Sequence, residues 1–157
     1  MRSSLTTYRA KRDFSKTREP MPRVAHGNKK PIFVVQKHRA RALHYDFRLE
    51  HRGVLKSWAL PKGPPHKAGE RRLAVMTEDH PLPYAHFEGT IPKGQYGAGK
   101  VEIWDSGVYA PVKPLSPGLR AGHITFVLLG HRLKGEYALV RMKDQKNWLM
   151  LKAKKKL

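Results

Sequence analysis

The residues with the clearest capacity for chemistry lie in one short segment, L43-H-Y-D-F-R-L-E50. Polar and apolar residues alternate strictly along it, which is typical of a β-strand with two different faces. The face that would point to the core carries Leu43, Tyr45, Phe47 and Leu49. The opposite face carries His44, Asp46, Arg48 and Glu50. An imidazole, a carboxylate and a guanidinium would therefore project from the same side of one strand.

This alternation predicts a metal site if a neighbouring strand contributes one more ligand. His44 and Asp46 stand two residues apart on one face, so both can reach the same divalent cation. His38, on the preceding strand, would supply a second imidazole and complete the pattern H38-x5-H44-x-D46. Two nitrogens and one carboxylate oxygen suit Mn²⁺, Fe²⁺ or Zn²⁺, and Arg48 would hold a phosphate beside the metal. The same alternation is also typical of a solvated polar face, and spacing alone leaves both interpretations open.

A second candidate lies in T77-E-D-H-P81. The residue before a proline is extended, so we expect His80 in a loop, where Glu78 and Asp79 orient its imidazole or raise its pKa. Such a histidine is suited to general acid catalysis or to a contact with phosphate. The alternative is an acidic turn at the end of a strand.

The segment G94-Q-Y-G-A-G-K100 matches the beginning of a phosphate-binding P-loop. The next residue, however, is Val101, where a P-loop needs Ser or Thr for Mg²⁺. The pattern V-E-I-W that follows predicts a strand, whereas a P-loop continues into a helix. We therefore expect these glycines to form a tight turn between strands.

The rest of the sequence predicts the framework that positions these groups. Short β-branched and aromatic runs, separated by turn residues, predict an all-β closed barrel or sandwich of about eight strands in a single domain. The basic residues 1–31 lack periodicity and predict an extended arm before a barrel over 32–152, followed by a basic tail over 153–157. The predicted strands cover 32–37, 43–50, 54–60, 72–77, 101–104, 124–129, 137–142 and 148–152.

The charge of the chain indicates a polyanionic partner. Among 157 residues, 32 Lys and Arg oppose 12 Asp and Glu, which gives a formal net charge of +20. Nucleic acid is the first candidate, and an anionic membrane surface is a weak second, because no apolar stretch approaches spanning length. The absence of cysteine excludes disulfides and thiolate metal sites. The first residues lack the apolar stretch of a signal peptide, which predicts a cytoplasmic protein.

Several motifs, in order along the chain, resemble the 3′-phosphoesterase domain of bacterial and archaeal DNA ligase D. The resemblance runs from about Tyr8 to Lys152 and contains no ligase or polymerase motif, so we expect a free-standing protein or an excised domain. Gln95 departs from it, where an acid is common, and so does His86. The motifs are Y8-R-A-K-R-D-F14 with Glu19-Pro20, F33 to E50, G53 to P65, R72 to Y84, F87-E-G-T-I-P92, Y96-G-A-G99 and I103 to Y109.

The resemblance implies a small closed β-barrel that processes DNA 3′ ends in non-homologous end joining. Such a domain removes a 3′-terminal ribonucleoside and then the 3′-phosphate that remains, with Mn²⁺, or with Zn²⁺ or Co²⁺ as alternatives. It implies the metal ligands His38, His44 and Asp46, and it implies that Arg48 and His80 hold the scissile phosphate. Further active-site residues that it implies are Gln36, Tyr84, Arg12, Asp13 and Glu19. Those that it implies mainly for phosphate removal are Lys62, Arg72 and Glu78.

The expected partners are primer-template 3′ ends and an end-joining ligase or polymerase, with the chain itself a monomer. Two other functions remain open at the level of sequence. A non-enzymatic basic β-barrel that binds nucleic acid would explain the charge and the strands, but it leaves the clustering of scarce acids with imidazoles unexplained. A metal-dependent endonuclease would use the same metal chemistry on an internal phosphodiester.

Overall fold

The computed structural model describes residues 5–25 and 30–154. Two short α-helices and one 3-10 helix accompany nine strands in the described part of the chain. The helices are α1 (Thr6–Ala10), a 3-10 helix (Leu82–His86) and α2 (Leu115–Ala121). The strands are β1 (Ile32–Arg39), β2 (Leu43–His51), β3 (Val54–Leu60), β4 (Arg71–Pro81), β5 (Gly89–Ile91), β6 (Gly99–Pro111), β7 (His123–Leu129), β8 (Lys134–Arg141) and β9 (Asn147–Lys152).

The strands form one antiparallel sheet that closes on itself, as the sequence predicts. Its order is β1-β2-β3-β4-β9-β8-β7-β6-β5, and β1 also pairs with β6. The long strand β6 makes the closure, because Val108 pairs with Ile32 of β1 and also with Leu129 of β7. Eight strands therefore complete the barrel, while β5 pairs with the beginning of β6. Closure removes the unpaired edges that an open sheet would expose.

Aromatic side chains fill the barrel. Phe47 stacks on Phe126 with ring centroids 5.7 Å apart, and Trp58 meets the edge of Trp148 at 5.6 Å. All four side chains are at most 1% exposed. Replacing a buried ring of this size by alanine typically costs about 3–5 kcal/mol, so this cluster holds the strands that carry the candidate site.

The opposite face of β1 and β2 is also buried, which differs from a solvated polar face. The N-terminal segment and the 3-10 helix cover it with a second apolar cluster. Asp46, Arg48 and Glu50 are consequently at most 7% exposed. The cluster consists of Leu5, Tyr8, Val34, Val54, Leu55, Tyr84 and Ala85.

The N-terminal segment is therefore not confirmed as an extended arm. Its described part contains α1, and Tyr8 from this helix is fully buried. The Tyr8 hydroxyl donates a hydrogen bond to the Pro20 carbonyl at 2.5 Å, which folds the segment back on itself. Tertiary packing decides this, because a helix of one turn leaves no periodic signal in the sequence.

Strand β4 is longer than predicted, and a β-bulge interrupts its pairing with β3. Leu55 pairs with His80 and Ser57 pairs with Thr77, so Lys56 alone stands opposite the two residues 78–79. The prediction of a loop at His80 was wrong, because the strand continues to Pro81 and the barrel pairs it. Bulges re-aim side chains next to active sites, and this one turns consecutive residues of β4 toward one cleft.

The remaining expectations have mixed outcomes. The segment 94–100 does form a turn that leads into β6, as predicted, and the P-loop match carries no P-loop structure. Helix α2 was not predicted. Gly122, which adopts the left-handed conformation, caps its C-terminal end.

The predicted basic tail over 153–157 lies mostly outside the described residues. Among the described residues, no helix is both long and apolar enough to cross a membrane.

Candidate metal centre and active site

The three predicted ligands meet near the turn of the β1–β2 hairpin, which residues 40–42 form. His38 and His44 are directly paired across the two strands, and Asp46 follows on the same face of β2. The Oδ2 atom of Asp46 lies 3.5 Å from Nδ1 of His38 and 3.3 Å from Nε2 of His44. One ligand atom from each residue lies within 4.8 Å of the others. The hairpin thus brings together the donor set that the spacing indicated.

Backbone carbonyls fix which nitrogen each imidazole turns toward Asp46. The Nε2 atom of His38 lies 2.7 Å from the Gly97 carbonyl, and Nδ1 of His44 lies 3.2 Å from the Ala42 carbonyl. A carbonyl only accepts, so these nitrogens carry the protons and the other nitrogen of each ring is free to bind a cation. Metal-ligating histidines are oriented by this kind of outer hydrogen bond.

The charges around the carboxylate also suit a cation ligand. Burial by itself would raise the pKa of Asp46, but the Arg48 guanidinium and the two imidazoles outweigh it and hold that pKa well below its usual range. Burial would lower the pKa of His44, yet the hydrogen bond and charge of Asp46 more than offset this and raise it. The residues present therefore fit a divalent cation bound by two nitrogens and a permanently anionic oxygen.

Arg48 extends the site from the ligands toward a cleft of about 280 Å³. Its Nη2 atom lies 3.6 Å from Oδ2 of Asp46, and its guanidinium stands 4.8 Å from the centre of the Tyr84 ring. Gln36 holds the opposite edge of the Arg48 guanidinium, because its Oε1 accepts a hydrogen bond from Nε of Arg48 at 2.7 Å. The cleft is lined by Arg12, His38, Ala40, His44, Asp46, Arg48, Ala59, Thr77, Glu78, His80, Tyr84, Ile91, Tyr96 and Gly97.

His80 enters the same cleft from β4, but in a different electrostatic state from the one predicted. Burial, together with the charges of Arg48 and Arg12, lowers its pKa well below the ordinary value. The expectation that nearby acids raise this pKa was wrong, because the Glu78 carboxylate turns away toward Lys11 and Arg12. The Nδ1 atom of His80 lies 2.9 Å from the Glu78 carbonyl, so it carries the proton and Nε2 is an acceptor.

The N-terminal segment supplies one wall of the cleft through Arg12. Its Nε donates to Glu19 at 2.9 Å, and its Nη1 donates to Glu78 at 3.3 Å. Glu19 also accepts from the Tyr84 hydroxyl at 2.6 Å, which connects the segment to the 3-10 helix. Burial is the main reason that the pKa of Tyr84 is raised, so the hydroxyl stays protonated and donates.

Comparison with known proteins agrees with this geometry. The family model of the DNA ligase D 3′-phosphoesterase domain matches residues 36–141, a range that includes His38, His44, Asp46, Arg48 and His80. The chain belongs to this phosphoesterase-domain family.

Curated relatives cover nearly the whole chain. The multifunctional non-homologous end joining protein LigD of Pseudomonas aeruginosa is 48% identical over 155 residues, which cover 96% of this chain and 18% of that protein. The protein of the same name from Mycolicibacterium smegmatis is 50% identical over 152 residues, which cover 92% of this chain and 20% of the relative. The chain thus spans about a fifth of the length of the curated relatives that it matches.

Not every residue predicted for this phosphoesterase-domain member reaches the cleft. Asp13 is exposed, and it accepts a hydrogen bond from the Ser15 hydroxyl at 2.6 Å. Lys62 and Arg72 line a separate groove with Glu70, and there Arg72 donates to Glu70 at 2.7 Å and to the Lys62 carbonyl at 3.2 Å. The structure therefore does not bring these three predicted residues together with the metal ligands.

Sequence reasoning also missed residues that the phosphoesterase-domain fold places in the site. Gly97 orients His38 through its carbonyl, and Tyr96 and Thr77 line the cleft. Lys11 bridges two walls, since its Nζ lies 3.0 Å from Glu78 and 3.3 Å from the Tyr96 hydroxyl. The Y96-G-A-G99 motif, which is part of the family resemblance, was a usable signal for two of these residues.

Proposed function

We propose that this chain processes DNA 3′ ends for end-joining repair, removing 3′-terminal ribonucleosides as a phosphodiesterase and 3′-phosphates as a phosphomonoesterase. The observation that carries the proposal is the convergence of three candidate metal ligands, Arg48 and His80 on one cleft in a member of the 3′-phosphoesterase-domain family. The names of the relatives refer to non-homologous end joining, which supports the same role here.

The proposed cofactor is Mn²⁺, held by His38, His44 and Asp46, with Zn²⁺ or Co²⁺ as alternatives. When bound, such a cation supplies positive charge that polarises a phosphate oxygen. The protein contributes the orientation of its ligands. The carbonyls of Gly97 and Ala42 hold both imidazoles in one tautomer, and the lowered pKa of Asp46 keeps its carboxylate anionic.

Arg48 is the proposed clamp for the scissile phosphate. Gln36 accepts from its Nε, while Nη2 is the atom near Asp46, so the guanidinium is held at the edge of the metal site with donors directed into the cleft. The paired N–H donors of a guanidinium match two phosphate oxygens. Because they are already oriented, they need little rearrangement when negative charge develops during the reaction.

His80 is proposed to contact the reacting phosphate from the other strand. In the free protein its neutral ring offers Nε2 as an acceptor for a water or a substrate hydroxyl. An anionic phosphate placed between His80 and Arg48 would offset the guanidinium charges and raise the pKa of the imidazole. The ring would then donate, either to the phosphate or to the leaving oxygen.

The N-terminal segment, residues 1–31, is proposed to contribute to the active site as the partner of the barrel over 32–152. Arg12, Glu19 and Tyr84 form the chain of contacts that joins the two. Glu78, Lys62 and Arg72 remain proposed for the phosphate-removal step, and Asp13 for the active site. For Asp13, Lys62 and Arg72, the proposal rests on the resemblance alone.

The proposed partners are primer-template DNA and an end-joining ligase or polymerase, with the chain acting as a monomer. The excess of basic residues would attract DNA backbones without reading their sequence. The cytoplasm is the location that we propose for this activity.

A primer-template with one 3′-terminal ribonucleotide tests the proposal. Incubation with Mn²⁺ should shorten the primer at its 3′ end only, first to a 3′-phosphate and then to a 3′-hydroxyl. Chelation of the metal should abolish both products. Cleavage within the strand would identify an endonuclease instead, and DNA binding without any product would identify a binding protein.

Matched variants connect this activity to the site. Asp46→Asn removes the anionic ligand, and both products should fall by at least about 10²-fold, the usual scale for loss of a charge-stabilising group. Glu102→Gln is the control, because Glu102 is a β6 carboxylate whose side chain is 42% exposed and lies outside the cleft. Equal losses in the two variants would contradict the site assignment.

A further inference from the structure

An exposed aromatic ring stands at the mouth of the cleft. Tyr96 lines the same cleft as His38 and Arg48, yet it is 47% exposed. Within the described ranges 5–25 and 30–154, none of the other large apolar side chains of comparable exposure is aromatic. One exposed apolar side chain is ordinary on a protein surface. An exposed aromatic ring beside a phosphate site has a specific use, because every nucleobase presents a flat face on which it can stack.

The backbone holds this ring at a fixed place relative to the metal ligands. Two consecutive turns surround it, with Gln95 donating to the Pro92 carbonyl at 3.1 Å and Ala98 donating to the Gln95 carbonyl at 3.0 Å. The next residue, Gly97, accepts the hydrogen bond from His38 at 2.7 Å. The backbone at Tyr96 therefore cannot shift without disturbing the hydrogen bond that orients His38.

The ring is also set in a cationic environment. The Nζ atom of Lys11 lies 4.6 Å from its centroid, and the guanidinium of Arg12 lies 5.3 Å from it. These cations would draw the DNA backbone toward this rim of the cleft. A purely structural interpretation exists, in which Tyr96 serves only to hold Lys11 through its hydroxyl. The two interpretations differ in whether the ring or the hydroxyl matters.

We propose that Tyr96 is the stacking platform for the base of the 3′-terminal nucleotide. The inference rests on the proposed function, since it assumes that a DNA 3′ end enters the cleft. A nucleotide whose phosphate lies at Arg48 and the metal ligands extends its base toward the rim, where Tyr96 offers the flat surface. Stacking tolerates every base, which suits an enzyme that meets broken ends of any sequence.

The platform is tested by DNA affinity alone, by combining removal of the terminal base with substitution of Tyr96. Two primer-templates are compared, one with an ordinary 3′-terminal nucleotide and one with an abasic terminal nucleotide. Their affinities are measured by fluorescence anisotropy in EDTA, where no turnover occurs. In wild-type protein, loss of the base should weaken binding by roughly 5- to 150-fold, the range for one stacked base. In Tyr96→Leu the two DNAs should bind equally, and Tyr96→Phe should behave like wild type.

Each other outcome overturns the platform. An abasic penalty that persists in Tyr96→Leu would show that the base rests elsewhere, and a Tyr96→Phe variant that resembles Tyr96→Leu would show that the hydroxyl is what matters. Mn²⁺ titration of each variant verifies that the His38 side of the cleft is intact. Wild-type protein that trims 3′ ends but binds both DNAs equally overturns the platform alone, whereas wild-type protein that trims nothing overturns the proposed function.

Discussion

Gln36 holds Arg48 in place: its side-chain oxygen accepts a hydrogen bond of 2.7 Å from the Nε atom of Arg48 on the adjacent strand. The amide nitrogen of Gln36 donates to the carbonyls of Tyr84 and Phe87, at 2.7 and 3.1 Å. Gln36 is fully buried, so one side chain ties the guanidinium on β2 to the 3-10 helix and the residue that follows it. The clamp is therefore positioned by a residue that does not itself line the cleft.

Replacing Gln36 by leucine should disrupt this arrangement. The change leaves the Phe87 carbonyl and the Nε–H of Arg48 without a partner, and it leaves the Tyr84 carbonyl with the Phe87 N–H alone. Each group left without a partner costs about 1–3 kcal/mol in the free energy of unfolding. We expect a lower stability in denaturant titration and a fall in kcat for 3′-end processing, with Mn²⁺ affinity nearly unchanged. Unaltered kcat in a folded Gln36→Leu variant would contradict the positioning role.

The contact between Gly97 and His38 predicts a selective effect on metal binding. Gly97 has φ +75°, and an added Cβ would lie 3.4 Å from Cε1 of His38. Gly97→Ala should strain the turn and displace the carbonyl that orients the ligand, and loss of such outer contacts lowers metal affinity by about 10- to 100-fold. Isothermal titration with Mn²⁺ measures the change.

Gly94 provides the matched control for this prediction. Its φ is +91°, in the same left-handed region, but nothing lies within 4 Å of an added Cβ. Gly94→Ala should therefore carry a similar backbone strain of about 1–3 kcal/mol without a loss of Mn²⁺ affinity. If both variants lose affinity equally, general strain of the turn explains the effect, and orientation of His38 does not.

The lowered pKa of His80 predicts a pH dependence of stability. The unfolded chain binds a proton at His80 below about pH 6.5, the ordinary histidine value, whereas the folded chain does so only at a lower pH. The unfolded state thus binds more protons in this window, and stability falls as the pH decreases from about 6.5 toward the folded pKa. One such group contributes at most about 1.4 kcal/mol per pH unit.

Comparison of wild-type protein with His80→Gln isolates this contribution. Denaturant titrations between pH 7 and pH 5 should show a smaller loss of stability in the variant, whatever its stability at pH 7. Equal slopes in the two proteins would mean that folding does not lower the pKa of His80.

Removing the phosphate contacts should separate catalysis from binding. His80→Ala and Arg48→Lys leave the three candidate ligands in place. Lysine retains the positive charge of Arg48 but lacks the paired N–H donors of the guanidinium. We expect 3′-end processing to fall by about 10²-fold or more in each variant, with primer-template affinity changing much less. A parallel collapse of DNA binding and activity would support a binding protein instead.

The net charge of +20 predicts a steep salt dependence of DNA affinity. Each phosphate neutralised by Lys or Arg releases counterions, and six to ten such contacts lower affinity by about 10³- to 10⁵-fold between 50 and 200 mM salt. Anisotropy titrations over this range measure the slope. A flat response would mean that the basic surface is not the DNA-binding surface.

Local rules along the sequence predict the strands and the candidate ligands, whereas the family resemblance selects the closed barrel over a sandwich. Alternation places Phe47 and Asp46 on opposite faces of one strand. The short connection between β1 and β2 pairs His38 with His44 across the hairpin. The failure of the P-loop match was equally local, since Val101 occupies the position where Mg²⁺ binding needs a hydroxyl.

The electrostatics of the site and the position of the N-terminal segment depend on tertiary packing. The acids next to His80 in sequence suggested a raised pKa, but the bulge turns Glu78 toward Arg12, and burial beside two guanidinium groups lowers the pKa instead. Lys62 and Arg72 belong to a separate groove for the same kind of reason. Burial and charge act through space between distant segments, and a pattern of neighbours along the chain does not contain those distances.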